Sequence, residues 1–463
     1  MGVAVSNWRL ANAVSSHGQL GVVSGTALDQ VFVRRLQDGD PEGHMRRALE
    51  ACPFRAMATR ILETYFVPGG KGPSAAYKRL AMHDKDGPRE LWELCIAGNF
   101  AEVFLAKAGH GNPVGINYLE KIQMPLLPSI YGAMLAGVDY VLMGAGIPLK
   151  IPGVLDAYAR NEAANYPLYV AGSHAEDSDA VMRFDPAEYA EGPVPELKRP
   201  LFLAIIASNT LALTMVKKAN GRVDGFVVEG PTAGGHNAPP RGKLQLSDTG
   251  EPIYGERDRV DLGKLRELGL PFWLAGGFGT AVKLHEALDA GAAGIQVGTA
   301  FAFCEESGFT AELKNKVLEA VREGNAHVFT DPVASPTDFP FKCVPLEGTV
   351  AEPAEYAARP RVCDLGYLRE AYRTPEGEVG FRCASEPVTV YVSKGGGAEN
   401  TVNRRCLCNS LIANVGFPQV RNRYEEKGLI TSGDGLADLV EFLPSEGTSY
   451  RAADVLAKLL AGG

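Results

Sequence analysis

Three glycine-bearing segments hold the side chains best suited to chemistry. The run V-V-E-G-P-T-A-G-G-H-N-A-P-P puts Glu229 at the end of an apolar stretch and His236 in a glycine-rich loop. An imidazole so placed can shuttle a proton near neutral pH, and Gly234 and Gly235, lacking Cβ atoms, let a flat ring approach the backbone. A lone loop histidine is more often solvated or structural, but the paired glycines beside it tip the balance toward function. Further on, F-W-L-A-G-G-F-G from Phe272 and G-I-Q-V-G-T-A-F from Gly294 are apolar runs that end in glycine where a helical pattern begins. Gly276, Gly277 and Gly298 then offer backbone N–H groups and a helix N-terminus to a phosphate. The competing reading, tight strand-to-helix turns and nothing more, loses weight because both loops occur in consecutive units.

A further set is Cys363, Cys383, Cys406 and Cys408, half of the eight cysteines. Four thiolates complete a shell for Zn²⁺ or ligate an iron-sulfur cluster, and Arg404 and Arg405 stand close by to offset negative charge. The spacing matches no C-x₂-C pair, so zinc, iron-sulfur and four plain reduced thiols all stay open. Cys52, Cys95, Cys304 and Cys343 read as reduced core cysteines. His17, His44, His83, His110, His174, His285 and His327 are scattered without ligand spacing and read as surface or supporting residues. No G-x-S-x-G elbow, H-E-x-x-H helix or Walker loop occurs, so hydrolase and kinase readings have no motif behind them.

The elements that must position these residues follow a βα rhythm. Eight apolar runs read as core strands: Gly2 to Val5, Leu20 to Ser24, Pro113 to Asn117, Tyr140 to Gly144, Leu201 to Ala207, Gly225 to Glu229, Phe272 to Gly276 and Gly294 to Gly298. Helical patterns follow most of them, at Trp8 to Ser16, Ile130 to Ala136, Leu211 to Ala219, Leu262 to Glu267 and Ala281 to Ala290. Eight such units predict an α/β fold, a (β/α)8 TIM barrel spanning 1–335, with insertions at about 29–111 and 166–199 lying over the active-site face. After about residue 336 the rhythm stops, and 336–463 reads as a small cysteine-containing C-terminal module ending in a helix at Ala452 to Leu460.

The chain has 463 residues, 46% hydrophobic and 22% charged, enough to bury a substantial core. Its net charge of -9 gives no electrostatic footprint for nucleic acid or an anionic membrane, so a small molecule is the default partner. No apolar run approaches the ~20 residues of a membrane span, and no secretory signal is visible, which with the unpatterned cysteines predicts a cytoplasmic protein. Gly2 and Ser6 match the short myristoylation pattern M-G-x-x-x-S, but Gly2 has a better use as part of the first strand.

The A-G-G-H loop, the A-G-G strand end and the Q-V-G-T-A-F strand end, in that order, resemble the nitronate monooxygenase (2-nitropropane dioxygenase-like) family of FMN-dependent barrel oxidoreductases, over roughly residues 2 to 330. The resemblance implies that His236 is the catalytic histidine and that Gly234 and Gly235 lie beside the flavin. It implies that Gly276 and Gly277, with Gln296, Val297, Gly298 and Thr299, form the FMN phosphate loops. Asn117 would end a strand near the flavin, and the backbone of Ala4, Val5 and Ser6 would touch the isoalloxazine ring. Where family members often carry Gln seven residues before the histidine, this chain has Glu229, an ionisable group able to bind ribityl hydroxyls or alter flavin electronics. Met1 falls where the family's Gly-Met turn would lie, so a start several residues upstream is expected.

The function expected is oxidation of a nitronate or similar carbanionic small molecule with O₂ by bound FMN, His236 handling the substrate proton. A second enzymatic reading is NAD(P)H-dependent reduction of a quinone or enoyl thioester. A third, not enzymatic, is a flavin-binding sensor or assembly subunit using the cysteine-rich module for contact. A homo-oligomer or a redox protein partner is compatible with each. Substrate choice is expected to lie with the two insertions.

Overall fold

Strict alternation of side chains in short apolar runs builds the centre of the molecule, a computed structural model that describes residues 2–172 and 180–461. Seven parallel strands form one sheet in sequential order: β1 (Gly21–Ser24), β2 (Val114–Leu119), β3 (Tyr140–Gly144), β4 (Leu201–Ile206), β5 (Gly225–Glu229), β6 (Phe272–Ala275) and β7 (Gly294–Gln296). Ile116, Val141, Phe202, Phe226 and Leu274 point outward into the main core beneath the helices, whereas Leu142, Leu203, Val227 and Ala275 form a small cluster on the inner face. Period-two alternation with both faces covered marks a sheet that curls between helices and an interior.

The expected closed eight-stranded barrel is not formed. Among the described residues β7 and β1 do not pair, and the sheet is an open, curled half-barrel. The first predicted strand, Gly2 to Val5, is a turn, because Ala4 sits at φ 49° and cannot continue an extended ladder. The segment still occupies the seam. The Ser6 carbonyl accepts from the Ser24 N–H at 2.8 Å, the Ser6 hydroxyl donates to the Val22 carbonyl at 2.6 Å, and the Val5 carbonyl accepts from the Gly308 N–H at 2.8 Å. Gly308 is required for that approach, since a Cβ there would lie 2.0 Å from the Ala4 carbonyl oxygen.

Residues 29–111 fold as helices, chiefly Leu28–Gln37, His44–Ala51, Arg55–Tyr65 and Arg89–Ala106. Helix Arg89–Ala106 is buried on nearly all sides, as its continuous apolar sequence requires. It lies close to helix Leu126–Leu135 because Gly132 has no Cβ to meet the Ile96 carbonyl. In the second insertion Ala164–Pro167 pairs antiparallel with Val181–Phe184, and Val170–Ala171 runs parallel to Glu370–Arg373. His174 lies outside the described residues.

A second core joins the N-terminal segment to later parts of the chain: Val3, Val5 and Leu10 pack in one cluster with Phe303, Phe341, Leu407, Ile430 and Val455. No helix among the described residues is long and apolar enough to cross a membrane.

Candidate active site

The inner face of the sheet opens at its C-terminal edge into a cavity of about 340 Å³, a size typical of small-molecule sites. Register brings polar groups to its floor. Glu229 of β5 and Gln296 of β7 both stand level with Ala275 of β6, so the two face inward at the same height from either side. Asn117 enters from β2, level with Ser24 and Leu142. All three line the cavity, and none of their side chains has a hydrogen-bond or ion-pair partner among the described residues. Burial pushes the Glu229 carboxyl above its ordinary range. Polar groups left unpaired on an apolar floor are placed for a ligand rather than for stability.

His236 forms one wall. A short antiparallel contact fixes its backbone: Lys342 N–H donates to the Gly235 carbonyl at 2.9 Å, Asn237 N–H to the Pro340 carbonyl at 2.9 Å, and Gly235 N–H to the Thr431 hydroxyl at 2.8 Å. The imidazole stands edge-on to Phe341 at 4.9 Å. Its Nε2 is 2.7 Å from the Ser335 hydroxyl, which is 2.8 Å from the Thr337 hydroxyl, which accepts from Lys121 Nζ at 3.2 Å. Four side chains thus form a continuous hydrogen-bonded chain from the cavity wall to a buried amine. Burial first, and the Lys121 charge second, hold His236 well below the usual imidazole value, so it is neutral at pH 7. Burial likewise lowers Lys121 to about 7. Arg404 keeps the hydroxyl loop in place by donating to the carbonyls of Val333 and Ser335.

Of the residues singled out in the sequence, Asn117, Glu229, Gly234, Gly235, His236 and Gln296 line this one cavity. Ala4, Val5, Ser6, Gly276, Gly277, Val297, Gly298 and Thr299 do not. Ala4 and Val5 are buried in the second core, and Ser6 is tied to β1. Gly276 and Gly277 take φ values of 83° and 75°, and a Cβ on Gly276 would meet the Thr232 hydroxyl at 2.9 Å. The Thr299 hydroxyl accepts from the Gly433 N–H at 3.0 Å, and Asp434 N–H donates to the Thr232 carbonyl at 3.0 Å. A strap of residues 431–434 therefore runs between the loops after β5 and β7. Gly234 lets it pass, since a Cβ there would lie 2.8 Å from Gly433 N. Asp434 is ion-paired at 2.5 Å with the buried Lys342. The N–H groups of Gly277 and Gly298 have no partner among the described residues and remain available at the strand ends.

Among the described residues, nothing from 29–111 or 166–199 lines the cavity. Its upper wall is built instead by Phe339, Tyr367, Leu368, Leu407, Cys408 and Leu411.

One scattered histidine is not a surface residue. His83 is 2% exposed, with Nε2 at 2.9 Å from Asp29 Oδ2 and 3.9 Å from Cys95 Sγ. The Tyr367 hydroxyl lies 2.6 and 2.7 Å from the two Asp29 oxygens. Asp29, His83 and Cys95 offer donor atoms within 4.8 Å of one another, a set that could hold a metal ion. His83 Nδ1, on the far side of the ring, is buried without a hydrogen-bond partner among the described residues. Burial would raise the Asp29 carboxyl, but the bonds from His83 and Tyr367 outweigh it and hold the carboxyl below its ordinary value.

Comparison with known proteins gives a partial match. Residues 155–334 fit the family model described as nitronate monooxygenase. A probable nitronate monooxygenase from Bacillus subtilis is 33% identical over 130 residues, which is 28% of this chain and 35% of the relative's length. Among solved structures, FabK from Thermotoga maritima aligns at 16% identity and a TM-score of 0.43, covering 98% of this chain and 88% of that one. A nitroalkane oxidase from Streptomyces ansochromogenes aligns at 15% and 0.43, over 99% and 93%. The β5 strand, the His236 loop and the β6 and β7 strand ends all fall inside the matched stretch, over which the chain is distantly similar to the nitronate monooxygenase family.

Proposed function

We propose that the chain is an FMN-dependent oxidoreductase that oxidises a nitronate or a similar carbanionic small molecule, with O₂ as electron acceptor. The observation that carries this is the cavity floor: three polar side chains, Asn117, Glu229 and Gln296, with no hydrogen-bond partner among the described residues, beneath a wall that presents a neutral imidazole. These groups suit a flavin, with amide and carboxyl donors and acceptors for ring edge and ribityl hydroxyls, and the free N–H groups of Gly277 and Gly298 for the phosphate. When bound, FMN supplies the two-electron chemistry. The chain's own residues do the rest. Where the substrate arrives as the neutral carbon acid, neutral His236 takes its proton and so forms the carbanion in the cavity, while Ser335 and Thr337 hold the imidazole by Nε2 and join it to Lys121, whose pKa of about 7 lets it give or take a proton at working pH.

The apolar upper wall supports a second reading, NAD(P)H-dependent reduction of a quinone or enoyl thioester, since Ile147, Leu211, Leu368, Leu407 and Leu411 suit an uncharged chain better than a small anion. One experiment tests both. Protein purified in the dark is heated, the released chromophore is identified by mass, and turnover is measured with nitronate under air and with NAD(P)H plus a quinone or an enoyl thioester under nitrogen. FMN at one per chain with nitronate turnover supports the first reading, and NAD(P)H-driven turnover alone supports the second. A protein that neither holds nor takes up FMN removes both.

A further inference from the structure

Cys363, Cys383, Cys406 and Cys408 come from three separate stretches of chain, yet all four line one small void. The centre of a water-sized sphere can move through about 10 Å³ of it, so the void is wider than one such sphere. None of the four is in a disulfide. Chain geometry explains how the C-x-C pair reaches it: Cys406 caps helix Leu407–Ala413 and Cys408 lies in its first turn, so both thiols leave the same helix end.

The spacing of the sulfurs discriminates between occupants. A zinc ion holds four thiolates at ~2.3 Å, which places them ~3.8 Å from one another and leaves no space at the centre. Among the described residues no three of these thiols lie mutually within 4.8 Å, although Asp29, His83 and Cys95 do. The four sulfurs therefore do not gather about one point but stand around a central void, as an iron-sulfur cluster needs, because its irons are spread apart and share the four cysteines among them.

The surroundings agree. Asn409 Nδ2 lies 3.5 Å from Cys406 Sγ. Such N–H···S contacts stabilise negative sulfur. The Arg369 guanidinium stands near Cys363 and Cys383, and that of Arg359 near Cys406, which offsets the net negative charge of a thiolate-bound cluster. Void and main cavity share a wall: Leu368, Leu407 and Cys408 line both.

We infer that these four cysteines ligate an iron-sulfur cluster adjacent to the main cavity. Loading is a ligand exchange: four iron-sulfur bonds to a carrier's thiolates break, four to this chain form, and the four cysteine protons pass to the carrier's sulfurs, with no electron moved. The site does not depend on the flavin reading, so iron, acid-labile sulfide and flavin are measured on the same samples.

The test is the full chain purified without oxygen, and again after incubation with ferric iron, sulfide and dithiothreitol. The expected result is iron and acid-labile sulfide in equal amounts, two or four of each per chain, with an iron-sulfur Mössbauer signature. Cys383→Ser and Cys406→Ser should each lose most of the iron and sulfide while keeping the circular dichroism of the parent. Stoichiometric zinc without sulfide would overturn the proposal, as would a wild-type chain that takes up no iron and whose four thiols are all alkylated in the folded state. The wild-type measurement decides even if a serine variant misfolds.

Discussion

Replacing Lys121 by Met should make the protein more stable, and by an amount that depends on pH. The ammonium lies 4.2 Å from the Phe339 ring centre, and its hydrogen bond goes to the Thr337 hydroxyl. Burial pulls its pKa from 10.5 to about 7. Above pH 10.5 the amine is neutral folded or unfolded and contributes nothing. As pH falls from 10.5 to 7 the unfolded chain gains a proton that the folded chain refuses, so the unfolded state is favoured increasingly; below 7 both carry the charge and the penalty is constant. At about 1.4 kcal/mol per unit the full shift is worth about 5 kcal/mol. Part of the side chain reaches solvent, and Met forfeits the Thr337 contact, so we expect a gain of about 2–3 kcal/mol at pH 7, shrinking toward zero by pH 10. Urea unfolding of parent and variant, followed by circular dichroism at unit steps from pH 6 to 10, measures it. Parallel stability curves across that range, or a variant less stable than its parent at pH 7, would refute the reasoning. The same substitution removes a positive charge that depresses His236, so the acidic limb of kcat/KM should move to higher pH.

His236→Ala should keep its flavin and lose turnover by ~10²-fold or more, as removal of a positioned acid-base group does; steady-state kinetics with flavin content measured alongside checks it. Glu229→Gln should hold FMN within about tenfold of the parent's affinity, a difference of about 1.4 kcal/mol. Its affinity should also vary less with pH above the ordinary carboxylate range, because the raised carboxyl no longer titrates; fluorescence titration reads both. Glu426→Ala should destabilise by about 3–5 kcal/mol, since it strips a fully buried carboxylate from Arg359, bonded at 2.7 and 2.8 Å, and from Arg421. Thermal unfolding is the measurement.

Local pattern in the sequence foretold the strands after the first, because apolar runs bounded by glycine are short and decisive: Tyr140–Gly144 and Gly225–Glu229 are found at their predicted bounds. Glu229 and His236 were singled out because one ends a strand and the other follows it in a glycine-rich loop, and Asn117 through the family resemblance; the three line one cavity. The open seam was not legible, since whether Gly2 to Val5 extends or turns depends on the left-handed Ala4, a conformation nothing in V-A-V-S announces. Nor was the relay. Lys121 follows β2 by two residues, and S-P-T at 335–337 presents two hydroxyls in a row, but the link from His236 to Ser335 spans 99 positions and exists only once the later chain folds back. His83 escaped notice for the same reason, as its partner Tyr367 meets Asp29 across 338 positions. Substrate shaping was assigned to the insertions by their place in a regular barrel; the structure gives that wall to 339–341, 367–368 and 407–411.

The strap at 431–434 has a consequence in time as well as space. Thr431 reaches the Gly235 N–H across 196 positions, and Gly433 completes the edge beside Thr299. Contacts so distant along the chain close late, after the local βα units have formed. During synthesis the sheet can therefore curl, and its inner face stand exposed, well before the wall that encloses a ligand exists. A molecule captured in the cavity is one that arrives after translation has passed residue 434, or one whose own binding pulls the strap into place. Pulse-labelled chains released at successive lengths should retain ligand only once that stretch has emerged.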